Sequence, residues 1–337
     1  MNKSQRVAAL ILALGIDLTF GDPPNRFHPV AWMGSLIQFF RHYSPHSHPM
    51  AQLAYGTLLT TGGSLCVAGL GSLLQQFLDR LPAPFQIIGA AVILKATFSI
   101  RGLDRAANQV QIALDSGDLP AARRLLGWSM VSRDTSELDE SQVASAVIES
   151  VAENASDSLI APLFYYMLGG LPLALVYRFA NTADAMLGYH TPEFEWLGKI
   201  PARLDDQLNL LPARLTGWLI VLASPLAGGN MLHAKQTMHR DAANTASPNA
   251  GFPMSAMAGA LGIELEKTAH YRLGYGGRKP TSADIRRSRT ILLAAAGIAA
   301  ALFSLLQYLR MKTEGQLIAS PHQKFVPPLA SCQEAGK

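Results

Sequence analysis

The chain has 337 residues, of which 49% are hydrophobic and only 15% charged, with a formal net charge of +4 and a mean hydropathy of +0.17. Soluble domains carry about 25% charged residues, so this composition argues against an ordinary soluble domain. It points to an all-α fold, a polytopic helical membrane protein with polar helical loops that carry the active site; no Lys/Arg run marks a nucleic-acid surface.

Lys3 and Arg6 precede the apolar stretch Val7–Leu14, as in a secretory signal. Gly15-Ile16-Asp17 and Gly21-Asp22-Pro23-Pro24 follow in place of a small-residue cleavage site. The expectation is a retained helix that enters the membrane, although the run to Phe20 is short for a span of about 20 residues. Asp17 and Asp22 flank a turn forced by two prolines. They are either interfacial loop acids or functional ones, because a charge at membrane depth is costly. His28-Pro29 opens an amphipathic stretch from Val30 to Phe40. His42, His46 and His48 read as a solvated loop, with no carboxylate or cysteine beside them. Leu53–Leu78 is the first clear span, rich in small residues that allow close helix packing. Cys66 lies in it and Cys332 in the polar tail, a pair that does not read as a disulfide. Phe85–Ile100, interrupted by Lys95, is either a span extended by a snorkelling Arg101 or a helix buried in protein.

Polar blocks occupy about 101–157, 179–209 and 229–289. In the first, Leu103–Leu114 has helical amphipathicity, and Asp118 caps a second helix with Pro120 in its first turn. Ser132-Arg133-Asp134-Thr135 either grips a phosphate or carboxylate, or caps the next helix with Glu137 closing a loose capping box. Glu149, Glu153 and Asp157 then stand at i, i+4 and i+8, which puts three carboxylates along one helical face. That face is either solvated or holds a cation that relieves the repulsion, and Mg2+ prefers such oxygen ligands. Asn154 stands beside Glu153.

Ser158–Phe179 is apolar, but Gly169-Gly170-Leu171-Pro172 breaks it into halves too short to cross a bilayer. A re-entrant hairpin would return Arg178, Asn181 and Asp184 to the side of Glu149 and Asp157. Asp205, Asp206 and Asn209 form a third polar set, framed by Arg203 and Arg214. Acids beside arginines suit a metal–phosphate site, where the metal bridges carboxylate to phosphate and Arg takes the remaining oxygens. In the last polar block Arg278, Lys279, Arg286, Arg287 and Arg289 precede a final span, Ile291–Leu309. They read as a positive-inside signal that puts this loop in the cytoplasm. Residues 1–310 are expected to form one integral membrane catalytic domain, and 311–337 a polar, disordered tail.

The segments GIDLTFGDPPNRFHPVAWMG, VSRDTSELDESQVASAVIESVAENASDSLIAPLFYY, YRFANTADAMLGY, ARLDDQLNLLPARLTG and SPNAGFPMSAMAGALGIELEK, in this order over about residues 7 to 290, resemble the blocks of the cobalamin biosynthesis CobD/CbiB family. The chain departs from that pattern at Glu264-Leu265-Glu266-Lys267, where the family tends to have Leu-Gly-Gly. The resemblance implies a multi-pass plasma-membrane adenosylcobinamide-phosphate synthase with its active site facing the cytoplasm. Such an enzyme joins adenosylcobyric acid to aminopropanol phosphate through an amide, using ATP and Mg2+. Its partners would be the corrinoid, the amino-alcohol phosphate and the lipid bilayer, with no nucleic acid; a homo-oligomer or association with other corrin-pathway enzymes is compatible with this. On that reading Glu149, Glu153, Asp157 and Asp184 are the catalytic set, and Glu149, Glu153, Asp157, Asp205 and Asp206 carry the metal. Arg133, Arg178, Arg203 and Arg214 bind phosphates, with Ser132 and Asp134 beside Arg133. Asn154, Asn181 and Asn249 position polar substrate edges, and Asp17, Asp22 and His28 line the mouth. The rivals are a membrane transporter, in which intramembrane acids couple ions, and an intramembrane Mg-dependent prenyltransferase.

Overall fold

A computed structural model of the chain describes residues 1–45, 48–188, 191, 194–267 and 270–319, with side chains given through 310 and at 312. His46, Tyr189 and Cys332 of the sequence reading lie outside these residues. Among the described residues the chain is almost wholly helical. Helix α1 (Lys3–Phe20) begins with a reciprocal capping box between Asn2 and Gln5 and stops at Gly21. Helix α2 (Pro29–Arg41) is capped by His28, whose Nδ1 accepts the Val30 N–H at 3.2 Å. Helices α3 (Pro49–Asp79), α4 (Ala83–Lys95), α5 (Ile100–Asp115) and α6 (Leu119–Ser129) follow, α6 capped by Asp118 as expected.

Helix α7 (Glu140–Ala155) is capped by Asp139 and Gln142. The box expected from Asp134 and Glu137 does not form; Asp134 instead closes a tight turn onto Ser136. The chain passes through one π-helical turn, Ser156–Ile160, into α8 (Ala161–Leu187). Helix α9 (Lys199–Ala223), α10 (Met231–Asp241) and α11 (Gly251–Leu261) lead to a small antiparallel hairpin, β1 (Leu265–Lys267) and β2 (Tyr271–Leu273). This hairpin includes the segment where the sequence departs from the family pattern, and helical periodicity gave no sign of it. Helix α12 (Ser282–Ala319) closes the described chain. The expected tail boundary at 311 falls inside this helix, because no proline interrupts the sequence before Pro321.

Among the described residues, five helical stretches are long and apolar enough to cross a membrane: Pro49–Asp79, Ala83–Asp115, Glu140–Leu187, Lys199–Ala227 and Ser282–Arg310. The third is not straight. Its backbone leaves helical geometry at Gly169 and Gly170, and Gly170 has φ +72° and ψ −155°, a region open essentially to glycine alone. The chain reversal expected from Gly169-Gly170-Leu171-Pro172 forms there. Tyr165 and Tyr177 stack with ring centroids 5.2 Å apart, which requires 161–168 and 171–187 to lie side by side.

Helix α7 is buried on nearly all sides, through Val143, Val147, Ile148 and Val151, and forms the centre of the main core with α11 and α12. A smaller core joins Ile37 of α2 to Phe179, Ala183 and Leu187 of α8. The small residues of α3 let α8 approach closely, as the composition of that span suggests. A Cβ on Gly63 would lie 2.2 Å from the Phe179 ring, and one on Gly71 would lie 2.9 Å from Pro172 Cα.

Candidate active site

The π-helical turn, the end of α8, the middle of α9 and the loop before α11 surround a cavity of about 300 Å3. Glu153 and Asp157 reach it from the end of α7 and the π turn, Asp184 from α8, and Asp205 and Asp206 from α9. Ser156, Asn209, Ser247 and Asn249 complete its polar lining among the described residues. The hairpin at Gly170 is what makes this possible. Without the reversal Asp184 would lie about 40 Å from Asp157, at 1.5 Å per helical residue.

Asp205 is buried and held by two amides. Asn181 Nδ2 donates to Oδ1 at 3.2 Å, and Asn209 Nδ2 to Oδ2 at 2.9 Å. Arg178 Nη1 donates to Asn181 Oδ1 at 3.3 Å, and the Tyr177 hydroxyl lies 2.9 Å from Asn209 Oδ1. Of the Arg178, Asn181 and Asp184 set on α8, only Asp184 lines the cavity; Arg178 and Asn181, expected to meet substrate, instead stand behind Asp205. Asp206 beside it is half-buried, and Asn249 Nδ2 donates to its backbone carbonyl at 2.7 Å.

Glu149 does not join the cavity. Ser145 Oγ donates to its Oε1 at 2.8 Å, the Tyr271 hydroxyl donates to its Oε2 at 3.0 Å, and Arg133 Nη2 stands 3.7 Å away. One turn before Glu153, it meets the β-hairpin and the loop before α7 instead of open space. Burial, and then the Glu149 charge, raise the Tyr271 phenol above its ordinary range, which keeps it a donor. Arg133 is therefore spent on Glu149. Ser132 and Asp134 are exposed, and hydrogen bonds from the Ser136 N–H and Oγ hold the Asp134 carboxyl below the usual range.

Asp17, Asp22 and His28 gather elsewhere. Asp17 is fully buried: its Oδ2 accepts the N–H groups of Ile100 and Arg101 at 3.0 Å each, and its Oδ1 lies 2.8 Å from Lys95 Nζ. A carboxylate at the start of α5 meets unpaired N–H groups and the positive end of the helix dipole. Asp22 pairs with the same Lys95, accepts the Ser99 hydroxyl at 2.5 Å and lies 3.5 Å from His28 Nε2. Burial pushes its carboxyl up, but hydrogen bonds from His28, Lys95 and Ser99, with the Lys95 charge, outweigh this and hold it well below the usual range. Asp22 and Lys95 edge a separate, apolar cavity of about 670 Å3 between α2, α3 and α4. Asp17, Asp22 and His28, expected at the mouth of the site, do not line the carboxylate cavity; Asp17 is buried in an ion cluster with Lys95, and Asp22 edges the apolar cavity.

Arg203 and Arg214 are not in the cavity lining. Arg203 precedes Asp205 by two positions, about 200° around the helix, and is exposed. Arg214 donates to the Leu210 carbonyl at 2.6 Å and lies over the Phe252 ring. Asn154 turns back on its own helix, donating to the Ser150 carbonyl at 3.0 Å and accepting from Ser158 Oγ. Sequence reasoning missed Tyr177, Ser156 and Tyr271. Lys95, a lone charge inside an apolar run, was visible but its partners were not.

Of the expected metal set, Glu153, Asp157, Asp205 and Asp206 share the cavity and Glu149 does not. Among the described residues no three His, Cys, Asp or Glu side chains converge into a preformed metal cage. The all-oxygen lining still fits Mg2+, which is commonly held by one or two carboxylates together with substrate phosphates and water. Glu153 is exposed, and Asp157, Asp184 and Asp206 are each half-buried, so all four are open enough to contribute to holding it.

A family model described as CobD/Cbib protein matches residues 10–301. The chain is 43% identical over 268 residues to a probable cobalamin biosynthesis protein CobD of Methanothermobacter thermautotrophicus, covering 80% of this chain and 86% of that one. It is 40% identical over 264 residues to a cobalamin biosynthesis protein CobD of Dehalococcoides mccartyi, covering 78% and 85%. A cobalamin biosynthesis protein CobD of Geobacter metallireducens is 41% identical over 281 residues, covering 82% and 86%. No solved structure matches. With a family model that spans nearly all of the helical body and relatives aligned over most of their own length, the chain belongs to the CobD/Cbib protein family.

Proposed function

We propose that the protein acts in cobalamin biosynthesis as an adenosylcobinamide-phosphate synthase. It would join adenosylcobyric acid to (R)-1-amino-2-propanol O-phosphate at the expense of ATP. The observation that carries this reading is the cavity where Glu153, Asp157, Asp184, Asp205 and Asp206 meet from separate chain segments. Family membership and the names of the relatives support the pathway.

Amide formation from a free acid needs an activated carboxyl and a deprotonated amine. The γ-phosphoryl group of ATP passes to the corrinoid carboxylate, ADP leaves, and an acyl phosphate results. The amine nitrogen attacks the acyl carbon, phosphate departs, and the nitrogen gives its proton to a carboxylate of the cavity. Mg2+, held by Glu153 and Asp206, would supply charge neutralisation for nucleotide phosphates. Asp205, fixed by Asn181 and Asn209, keeps the α9 acids in place against α8. The protein would sit in the plasma membrane with this cavity facing the cytoplasm, where ATP is available.

The test is detergent-purified protein with adenosylcobyric acid, aminopropanol phosphate, ATP and Mg2+, followed by mass. Product that disappears when any one component is omitted is the expected result. Folded protein that makes no product and turns over no ATP with all four present overturns the reading.

A further inference from the structure

Among the described residues the carboxylate cavity has no lysine or arginine in its lining, although five acidic side chains face it. Two further lining groups lack partners. Ser156 Oγ and Asn249 Oδ1 make no hydrogen bond, and their side chains are only 2% and 5% exposed. Leaving a buried polar group unsatisfied is costly, so two at one cavity call for a ligand that satisfies them. Asn249 Oδ1 can only accept, because its Nδ2 is already committed to the Asp206 carbonyl. The missing ligand is therefore a donor, and the acids around it ask for positive charge.

We propose that the part of this cavity lined by Ser156, Asp157 and Asn249 binds the primary ammonium group of the amino-alcohol substrate. This deepens the synthase reading and rests on it for the identity of the amine. A primary ammonium has three donors set about a tetrahedron, at ordinary hydrogen-bond distances. Scattered acceptors of different kinds suit it. Mg2+ instead demands near-octahedral oxygens at about 2.0–2.1 Å and favours carboxylates and water, whereas two of the three acceptors here, the Ser156 hydroxyl and the Asn249 amide, are neutral. Ser156 and Asn249 are closed in, Glu153 is exposed, and Asp157 and Asp206 are half-buried alike. The π-helical turn that begins at Ser156 aims this hydroxyl and Asp157 into the cavity together. Specificity follows from the same acceptors: an analogue with hydroxyl in place of ammonium brings one donor and no charge.

The test uses the whole protein in detergent, with EDTA and without ATP, and observes ligand saturation-transfer NMR. The probes are 1-amino-2-propanol and 1,2-propanediol, which differ only in the amine. The expected result is at least a tenfold tighter Kd for the amine, reduced severalfold in Ser156→Ala and in Asn249→Ala. Both substitutions leave the net charge unchanged, so a loss cannot be a general effect of the acidic cavity. Equal binding of the two probes, an amine preference that survives both substitutions, or complete displacement of the amine by Mg2+ overturns the proposal. The wild-type comparison stands if a variant misfolds. Amide synthesis is scored separately: product without an amine preference sinks this subsite alone, and an amine preference without product sinks the synthase reading alone.

Discussion

The Tyr177 hydroxyl lies 3.2 Å from the backbone carbonyl of Asp157, 20 residues earlier in the chain. Along an unbroken helix those residues would be about 30 Å apart. The contact fixes the reversal at Gly169–Gly170, and the reversal brings two acidic segments of one membrane element to one cavity. Helices α3, α4 and α9 pack against α8 and cover the reversal with protein.

Gly170→Ala tests this device. A Cβ there would meet nothing closer than 3.5 Å, so the penalty is conformational, about 1–3 kcal/mol. The expected outcome is a lower Tm in detergent together with loss of amide synthesis, because Asp184 and Asn181 shift against Asp157. Gly117→Ala is the matched control: its φ is +76° with open space around it, in the turn after α5. It should lower Tm comparably and leave synthesis intact. Equal loss of synthesis in both would detach the hairpin from the site.

Glu149 and Glu153 stand one turn apart and should respond differently. Glu149→Ala strands Tyr271, Ser145 and Arg133, and hydrogen bonds to a charged group are each worth about 1.5–3 kcal/mol. It should lower Tm clearly. Glu153→Gln has no such partners to strand and should keep Tm while synthesis falls, by about 10²-fold or more if it serves the chemistry. Thermal unfolding and turnover measured on the same preparations decide this. A Glu149→Ala protein as stable as wild type would return Glu149 to the site.

Much of this was legible in the sequence. Apolar runs gave the membrane helices, Gly169-Gly170-Leu171-Pro172 gave the hairpin, and three acidic sets at the ends of apolar segments gave the cavity. What was hidden is which way each side chain turns. A stripe at i, i+4, i+8 presumes one continuous α-helix and an equal environment along it. The π-helical turn changes the register at Asp157, and Tyr271, 122 residues away, claims Glu149. Nearness in sequence misled for Arg203, which shares a helix with Asp205 but not a face. Lys95 could be noticed but not paired, because Asp22 precedes it by 73 residues.

Asp22 carries a pH signature. Its folded carboxyl lies below the usual range, so its contribution is fully present above the unfolded value of about 3.9. That contribution is lost as pH falls further, through the folded value. Asp22→Asn should therefore have a lower Tm than wild type at pH 7, and the gap should narrow below about pH 4. Melting curves from pH 3 to 7 check this. A gap that widens on acidification would mean that Lys95 and His28 do not stabilise the ionised form.

The basic residues before the last span have two readings that one substitution separates. As a positive-inside signal, Arg289 matters only for its charge. In the fold it is a clamp: Nε and Nη2 grip Asp104 at 2.8 and 3.1 Å, and Nη1 reaches Asn108 at 2.5 Å and Gln111 at 3.1 Å, tying α12 to α5. Arg278 grips Asp284 with two contacts of 2.6 Å in the same manner. Lysine keeps the charge but cannot form the planar two-pronged contact. Arg289→Lys should leave membrane orientation unchanged, as read by cysteine accessibility, and still cost about 1–3 kcal/mol, since hydrogen bonds to charged groups are lost at a largely buried site. Asp104→Asn should cost a similar amount. The double variant should cost less than the two added together, because the second change removes a partner already lost. Strict additivity, or a silent Arg289→Lys, would leave charge alone as its role.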